Sequence, residues 1–107
     1  MRACEVYVHG IRAGILTEKD RNHYEFEYDK EYLSNGNPQP VSLTLPLSTG
    51  VYESPYLFPF FSNMLSEGEN RKIQSQLLHI DPADDFGFLI TTCEYDTIGA
   101  VTIKRIS

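Results

Sequence analysis

The chain has 107 residues, of which 41% are hydrophobic, 12% aromatic and 22% charged, the composition of one compact soluble domain. No apolar run approaches the ~20 residues a membrane-spanning helix needs, and Met1-Arg2-Ala3-Cys4-Glu5 opens no secretory apolar region, so a cytoplasmic domain is expected. Nine basic residues against fifteen acidic ones give a net charge of −6; with no cluster of Lys and Arg beyond Arg71-Lys72 and Lys104-Arg105, direct nucleic-acid binding is disfavoured.

Taken in chain order, Cys4, Val6 and Val8 alternate with Glu5, Tyr7 and His9 and predict a half-buried strand. His9-Gly10 predicts a turn into a second strand, Ile11 to Leu16, with Gly14 marking a bulge. Tyr24, Phe26 and Tyr28 on one face, with His23, Glu25 and Glu27 on the other, predict a third antiparallel strand and hence a meander. A short helical turn over Asp29 to Leu33 leads into the turn-rich stretch Ser34 to Pro40. Val41, Leu43 and Leu45 alternate with Ser42 and Thr44 and predict a strand to Leu47, stopped by Pro46.

In the second half the period changes to that of helices. Tyr56 to Leu65 reads as a helix capped by Ser54-Pro55, or starting nearer Phe58 because of Pro59. Ser66-Glu67-Gly68-Glu69 breaks it. A second helix is expected from about Glu69 to His79, burying Ile73, Leu77 and Leu78. Asp81-Pro82 reads as N-cap and first-turn proline of a third helix with Phe86, Leu89 and Ile90 inward. Asp96 to Gly99 is expected to turn into a last strand, Ala100 to Ile106. The expected fold is α+β: a single domain over residues 1–107, an antiparallel sheet of about five strands with two to three helices on one side, and the last strand returning to the first.

Three arrangements of chemistry-bearing residues stand out. Asp81, Asp84 and Asp85, with Glu94 and Asp96, have the oxygen density of a divalent-ion site and would support a small hydrolase, but capping and the helix dipole account for the aspartates with nothing extra. Cys4 or Cys93 could be matched with His9, His23 or His79, yet no nucleophile signature surrounds either thiol, and both read as small core residues. Phosphate-binding glycine loops and kinase catalytic motifs are absent from the sequence. Elimination leaves a non-enzymatic binding domain, with no cofactor and no metal implied.

Four blocks in order carry a resemblance. Pro40-Val41-Ser42-Leu43-Thr44-Leu45-Pro46-Leu47 resembles the P-L-S-L-S-L-P-L segment of HipA-type serine/threonine kinases. Phe60-Phe61-Ser62-Asn63-Met64-Leu65-Ser66-Glu67-Gly68-Glu69-Asn70-Arg71 resembles their F-F-D-N-L-L-P-E-G-x-x-R. Asp85 to Ile90, followed by Tyr95 to Val101, is similar to F-x-L-L … G-R-D-x-x-G-A-V, and Tyr7 to Leu16 fits the opening V-x-x-x-G-x-x-V-G-x-L. In those kinases this is only N-terminal subdomain 1. A chain that ends just after the last block resembles the stand-alone HipS-type proteins of tripartite HipBST toxin–antitoxin modules.

The resemblance implies an antitoxin that binds a HipT-like kinase toxin in trans and neutralises it, in a ternary complex with a HipB-like helix-turn-helix protein. A scaffold or activator that links kinase to repressor is the alternative sense. The implied contact is the loop and helix start Ser66, Glu67, Gly68, Glu69, Asn70 and Arg71, where Gly68 permits a turn and the glutamates offer acceptors to basic groups. Phe61 and Leu65 beside it are expected in the core. Ser66 replaces the usual proline, and Glu69 and Asn70 stand where some stand-alone relatives carry a bulky aromatic that plugs the kinase site. With no tryptophan in the chain, docking, charge or conformational control must take that part.

Overall fold

Alternating side chains build the first half of the sheet. In the computed structural model, which describes residues 2–20, 22–34, 36, 38–63, 65, 68–81, 83–92, 97–98 and 101–106, β1 (Arg2–Val8), β2 (Ile11–Asp20) and β3 (His23–Tyr28) form the expected antiparallel meander. Cys4, Val6, Val8, Leu16, Tyr24, Phe26 and Tyr28 are all buried on one face. The β1–β2 turn has both His9 (φ 52°) and Gly10 (φ 78°) in the left-handed region, the backbone of a type I′ hairpin turn that matches the strand twist. The pairing passes from Val6↔Gly14 to Tyr7↔Arg12, so Ala13 is the extra residue of a bulge beside the glycine expected to mark one.

The return strand is also as expected: β6 (Val101–Arg105) pairs antiparallel with β1, with Val101 and Ile103 buried. Two short strands complete a six-stranded sheet in the order β4-β3-β2-β1-β6-β5, where β4 is Val51–Ser54 and β5 is Thr97–Ile98. Helices α1 (Lys30–Ser34), α2 (Pro59–Ser62), α3 (Gly68–Leu78) and α4 (Asp85–Thr92) are present among the described residues. Tyr32 of α1, Phe61 of α2 and Phe86, Phe88, Leu89 and Ile90 of α4 join the strand residues in one core. The α+β architecture therefore stands, with one more strand and one more helix than anticipated.

The local differences have identifiable causes. Val41 to Leu47 is not a strand. Its polar backbone groups are taken by tyrosine hydroxyls: Tyr28 Oη accepts from Val41 N–H at 2.8 Å and donates to the Leu45 carbonyl, and Tyr52 Oη donates to the Pro46 carbonyl at 2.6 Å. Leu45 N–H closes a tight turn on Ser42 O at 3.0 Å, which buries Val41 and Leu45 and leaves Leu43 97% exposed. The expected helix from Tyr56 shrinks to α2 with Phe58 as its N-cap, because Pro59 occupies the first helical position and prolines fit there; Ser54-Pro55 instead ends β4. Asp84, not Asp81, caps α4: its Oδ1 accepts from Gly87 N–H at 3.1 Å. Asp81 closes the preceding turn, its Oδ1 accepting from Ala83 N–H at 2.9 Å, a local side-chain bond that competes with helix extension. Thr97 and Ile98 pair with Thr102 and Val101 as a strand rather than a turn. Asp96 and Gly99, the other residues of that expected turn, lie outside the described residues.

The buried tyrosines give the fold an alkaline limit. Burial pushes the hydroxyls of Tyr24 and Tyr28 up to about 12 each, with the Glu18 carboxylate adding to the effect at Tyr24. In the unfolded chain both titrate near 10. A pKa raised on folding means stability that is complete below pH ~10 and falls as pH climbs towards 12, because the unfolded chain then releases protons first. Denaturation midpoints are expected to hold up to about pH 10 and decline above it, with two of the seven tyrosines ionising late by absorbance. A midpoint insensitive to pH between 10 and 12 would contradict this burial.

Candidate partner-binding site

The six residues expected to contact a partner lead into or open α3. Ser66 and Glu67 lie outside the described residues. Gly68, Glu69 and Asn70 form the start of α3, and Arg71 is its first residue with a described side chain. Arg71 points back to α4, where its guanidinium donates to Asp85 Oδ1 at 2.5 Å and lies 4.6 Å from the centre of the Phe88 ring. This combines a charge-assisted hydrogen bond with a cation–π contact. It makes Arg71 an anchor between α3 and α4 as well as a member of the loop.

That anchor decides which way the helix faces. Ser75, one turn on from Arg71, donates from Oγ to the Ile80 carbonyl at 2.5 Å, and Ile80 N–H returns to Ser75 O at 3.1 Å. Together with His79 in the left-handed region (φ 56°), this closes the helix C-terminus in the Schellman manner. With Arg71 and Ser75 turned inward, the apolar pair moves outward: Ile73 is 50% exposed and Leu77 73%. The sequence pattern predicted Ile73, Leu77 and Leu78 in the core, and none of them is buried. At about 100° per residue, positions 69, 70, 73 and 77 fall within roughly 100° of one another around the helix axis. The apolar pair therefore shares a side of α3 with positions 69 and 70 of the expected contact.

The acidic cluster is tied up in structure. Arg2 makes a two-pronged pair with Asp84 (Nη1–Oδ2 2.9 Å, Nη2–Oδ1 2.7 Å) and also donates to Glu18 Oε1 from Nε at 2.8 Å and Nη2 at 2.7 Å. Tyr24 Oη donates to the other Glu18 oxygen at 3.1 Å. The hydrogen bond to Asp84 raises the Arg2 pKa above its ordinary value, against the opposing effect of burial and with help from Glu18. A cleft of about 330 Å³ opens beside this network, but its carboxylates already serve Arg2, Arg71 and the amides that start α4. The capping reading thus has direct support for Asp84 alone, while Asp81 closes a turn and Asp85 pairs with Arg71, so each of the three carboxylates has a structural partner. Glu94, Asp96 and Cys93 lie outside the described residues. Cys4 is fully buried in the sheet, as a small core residue should be.

Two features were not anticipated from the sequence. The Arg2–Glu18–Asp84 network joins residues far apart in the chain, and only the extension of β2 past Leu16 brings Glu18 opposite Arg2. The outward turn of Ile73 and Leu77 follows from Arg71 meeting Phe88, a pairing with no local signature. No helix among the described residues is long and apolar enough to cross a membrane.

Comparison with known proteins places this geometry in context. The HipA N-terminal domain family matches residues 4–104. An uncharacterized protein of Haemophilus influenzae is 31% identical over 105 residues, an alignment covering 98% of this chain and 93% of that protein. A Sinorhizobium fredii protein, "Putative kinase Y4mE", is 29% identical over 89 residues, 83% of this chain but only 21% of its own length. Among solved structures, the N-terminal domain of HipA toxin superposes with a TM-score of 0.70 at 25% identity, covering all of this chain and 94% of that one.

Proposed function

This chain belongs to the HipA N-terminal domain family, and from that premise we propose that it is a non-catalytic antitoxin which binds a HipT-like serine/threonine kinase in trans and neutralises it. The complex also contains a HipB-like helix-turn-helix protein, which carries the DNA contact that an acidic domain of charge −6 is poorly suited to make. The setting is cytoplasmic. The observation that carries the reading is the α3 surface: a helix whose two apolar residues at i and i+4 face solvent, on the same side as the helix start that the family motif singles out. Such an i/i+4 pair is the form in which a helix presents anchors to a groove. The Y4mE alignment supports the same reading, since the stretch that matches this chain is there about one fifth of a larger putative kinase. The Haemophilus influenzae relative, covered over 93% of its length, is a precedent for the domain as a chain of its own.

Co-expression with a HipT-like kinase is the test. A stoichiometric complex on gel filtration, with kinase activity and toxicity both suppressed, is the expected result. Glu67→Lys/Glu69→Lys should weaken suppression while the isolated domain keeps its melting temperature, because the acceptors offered to basic kinase groups are lost. Separate migration of the two proteins would remove the proposal, and activity that is unchanged or raised in the complex would make the chain a scaffold or activator instead.

A further inference from the structure

On the sheet face turned away from the helices, three side chains converge. His23 Nε2 lies 2.9 Å from Glu53 Oε1 and 3.1 Å from Glu25 Oε2, and one ligand atom from each of the three residues falls within 4.8 Å of the others. The backbone makes this arrangement. His23 and Glu25 are two apart on β3 and so share a face, and the β3–β4 register sets Glu25 directly opposite Glu53. Like charges placed directly opposite across an antiparallel pair repel, and Glu27 follows on the same face. Lys19 Nζ approaches Glu25 no nearer than 3.8 Å. The corner is thus rich in negative charge, with one imidazole nitrogen held between two carboxylates that the strand pairing forces together.

We propose that His23, Glu25 and Glu53 form a binding site for a divalent transition ion, Zn²⁺ foremost. The donor set is one imidazole nitrogen and two carboxylate oxygens, which suits zinc and its neighbours and does not suit the all-oxygen preference of Mg²⁺ or Ca²⁺. Around a tetrahedral ion with bonds of about 2.0–2.1 Å, neighbouring donors stand roughly 3.3 Å apart. The two spacings from His23 are within a few tenths of an ångström of that, so a small opening of the three side chains, of which Glu53 is exposed and His23 and Glu25 are half-buried, admits the ion. Three protein ligands leave a fourth position for water or for a donor from a bound partner. The ion would join edge strand β4 to β3, its one neighbour in the sheet.

The experiment uses tag-free protein and ZnCl₂ alone, read by calorimetry and by thermal melting. One saturable site per chain is expected, with the melting temperature rising by roughly 10 °C at a hundredfold excess over Kd. His23→Gln and Glu53→Gln should each weaken binding tenfold or more while melting near the parent value in chelator. Glu53→Gln stands as the reporter if the histidine variant fails to fold. Absence of saturable binding overturns the proposal, as does binding that survives both substitutions or an equal response to Mg²⁺.

Discussion

An Ile73→Asp/Leu77→Asp double variant is expected to melt within roughly 10 °C of the parent yet lose kinase binding a hundredfold or more. The stability half follows from exposure. Ile73 and Leu77 are 50% and 73% accessible, and surface substitutions away from packed features shift stability by about 0.5 kcal/mol. Aspartate's weaker helix propensity adds about 0.5 kcal/mol per site. The anchors that hold α3 in place, Arg71 on Asp85 and Phe88 and the Ser75–Ile80 closure, are untouched. The binding half follows from what an interface would bury. Fully covering an Ile or Leu side chain is worth about 1.5–3 kcal/mol, and the variant both forfeits that and forces two carboxylates into the contact. A hundredfold loss corresponds to about 2.7 kcal/mol, below the sum of those effects. Calorimetry of the variant against the purified kinase decides it. Unchanged affinity would move the docking surface off α3, with the fully solvated Leu43 turn as the next region to probe.

The contrast between α3 and the first three strands shows where sequence reasoning stops. Alternation over Cys4–Val8 and over Tyr24–Tyr28 needed no partner beyond the adjacent hairpin, so the buried faces of β1 and β3 could be read directly, and with them the glycine beside the bulge in β2. In α3 the existence and length of the helix were equally readable, because Gly68 and the i/i+4 spacing are local. Its orientation was not. An arginine took the inward place that hydrophobicity would give to Ile73, since Phe88 and Asp85 supply an aromatic face and a carboxylate that a one-dimensional pattern cannot bring together. The same limit explains Val41 to Leu47. Its alternation is that of a strand, but hydroxyls from Tyr28 and Tyr52 satisfy its backbone in place of a neighbouring strand. β4, by contrast, is four residues long, too brief for periodicity to distinguish from loop. The His23–Glu25–Glu53 corner was half visible, as two residues on the polar face of β3; the third ligand sits on that short strand.

Gly14→Val is expected to be the most damaging single substitution in the sheet, lowering stability by roughly 3 kcal/mol or more and the melting temperature by more than about 10 °C. Gly14 faces Val6 on one side and Tyr28 on the other. A Cβ built there would stand 2.3 Å from the Glu27 carbonyl oxygen and 3.0 Å from Tyr28 Cα. Both are backbone atoms of the neighbouring strand, so no side-chain rotation relieves the overlap. Relief requires β3 to move away from β2, and the movement would reach further. Tyr28 carries the hydroxyl that holds Val41 and Leu45, and Asp29 N–H donates to the Ala13 carbonyl at 2.8 Å as the chain enters α1. Phe26, at the centre of the core, packs 5.9 Å from Phe61 of α2 and would shift with its strand. Gly14→Ala should give a smaller loss of the same kind, since its one added carbon is the atom that clashes and valine adds two more. Thermal melts of the two variants beside the parent test the ordering, and an alanine variant as stable as the parent would show that β2 and β3 can separate locally without cost to the core.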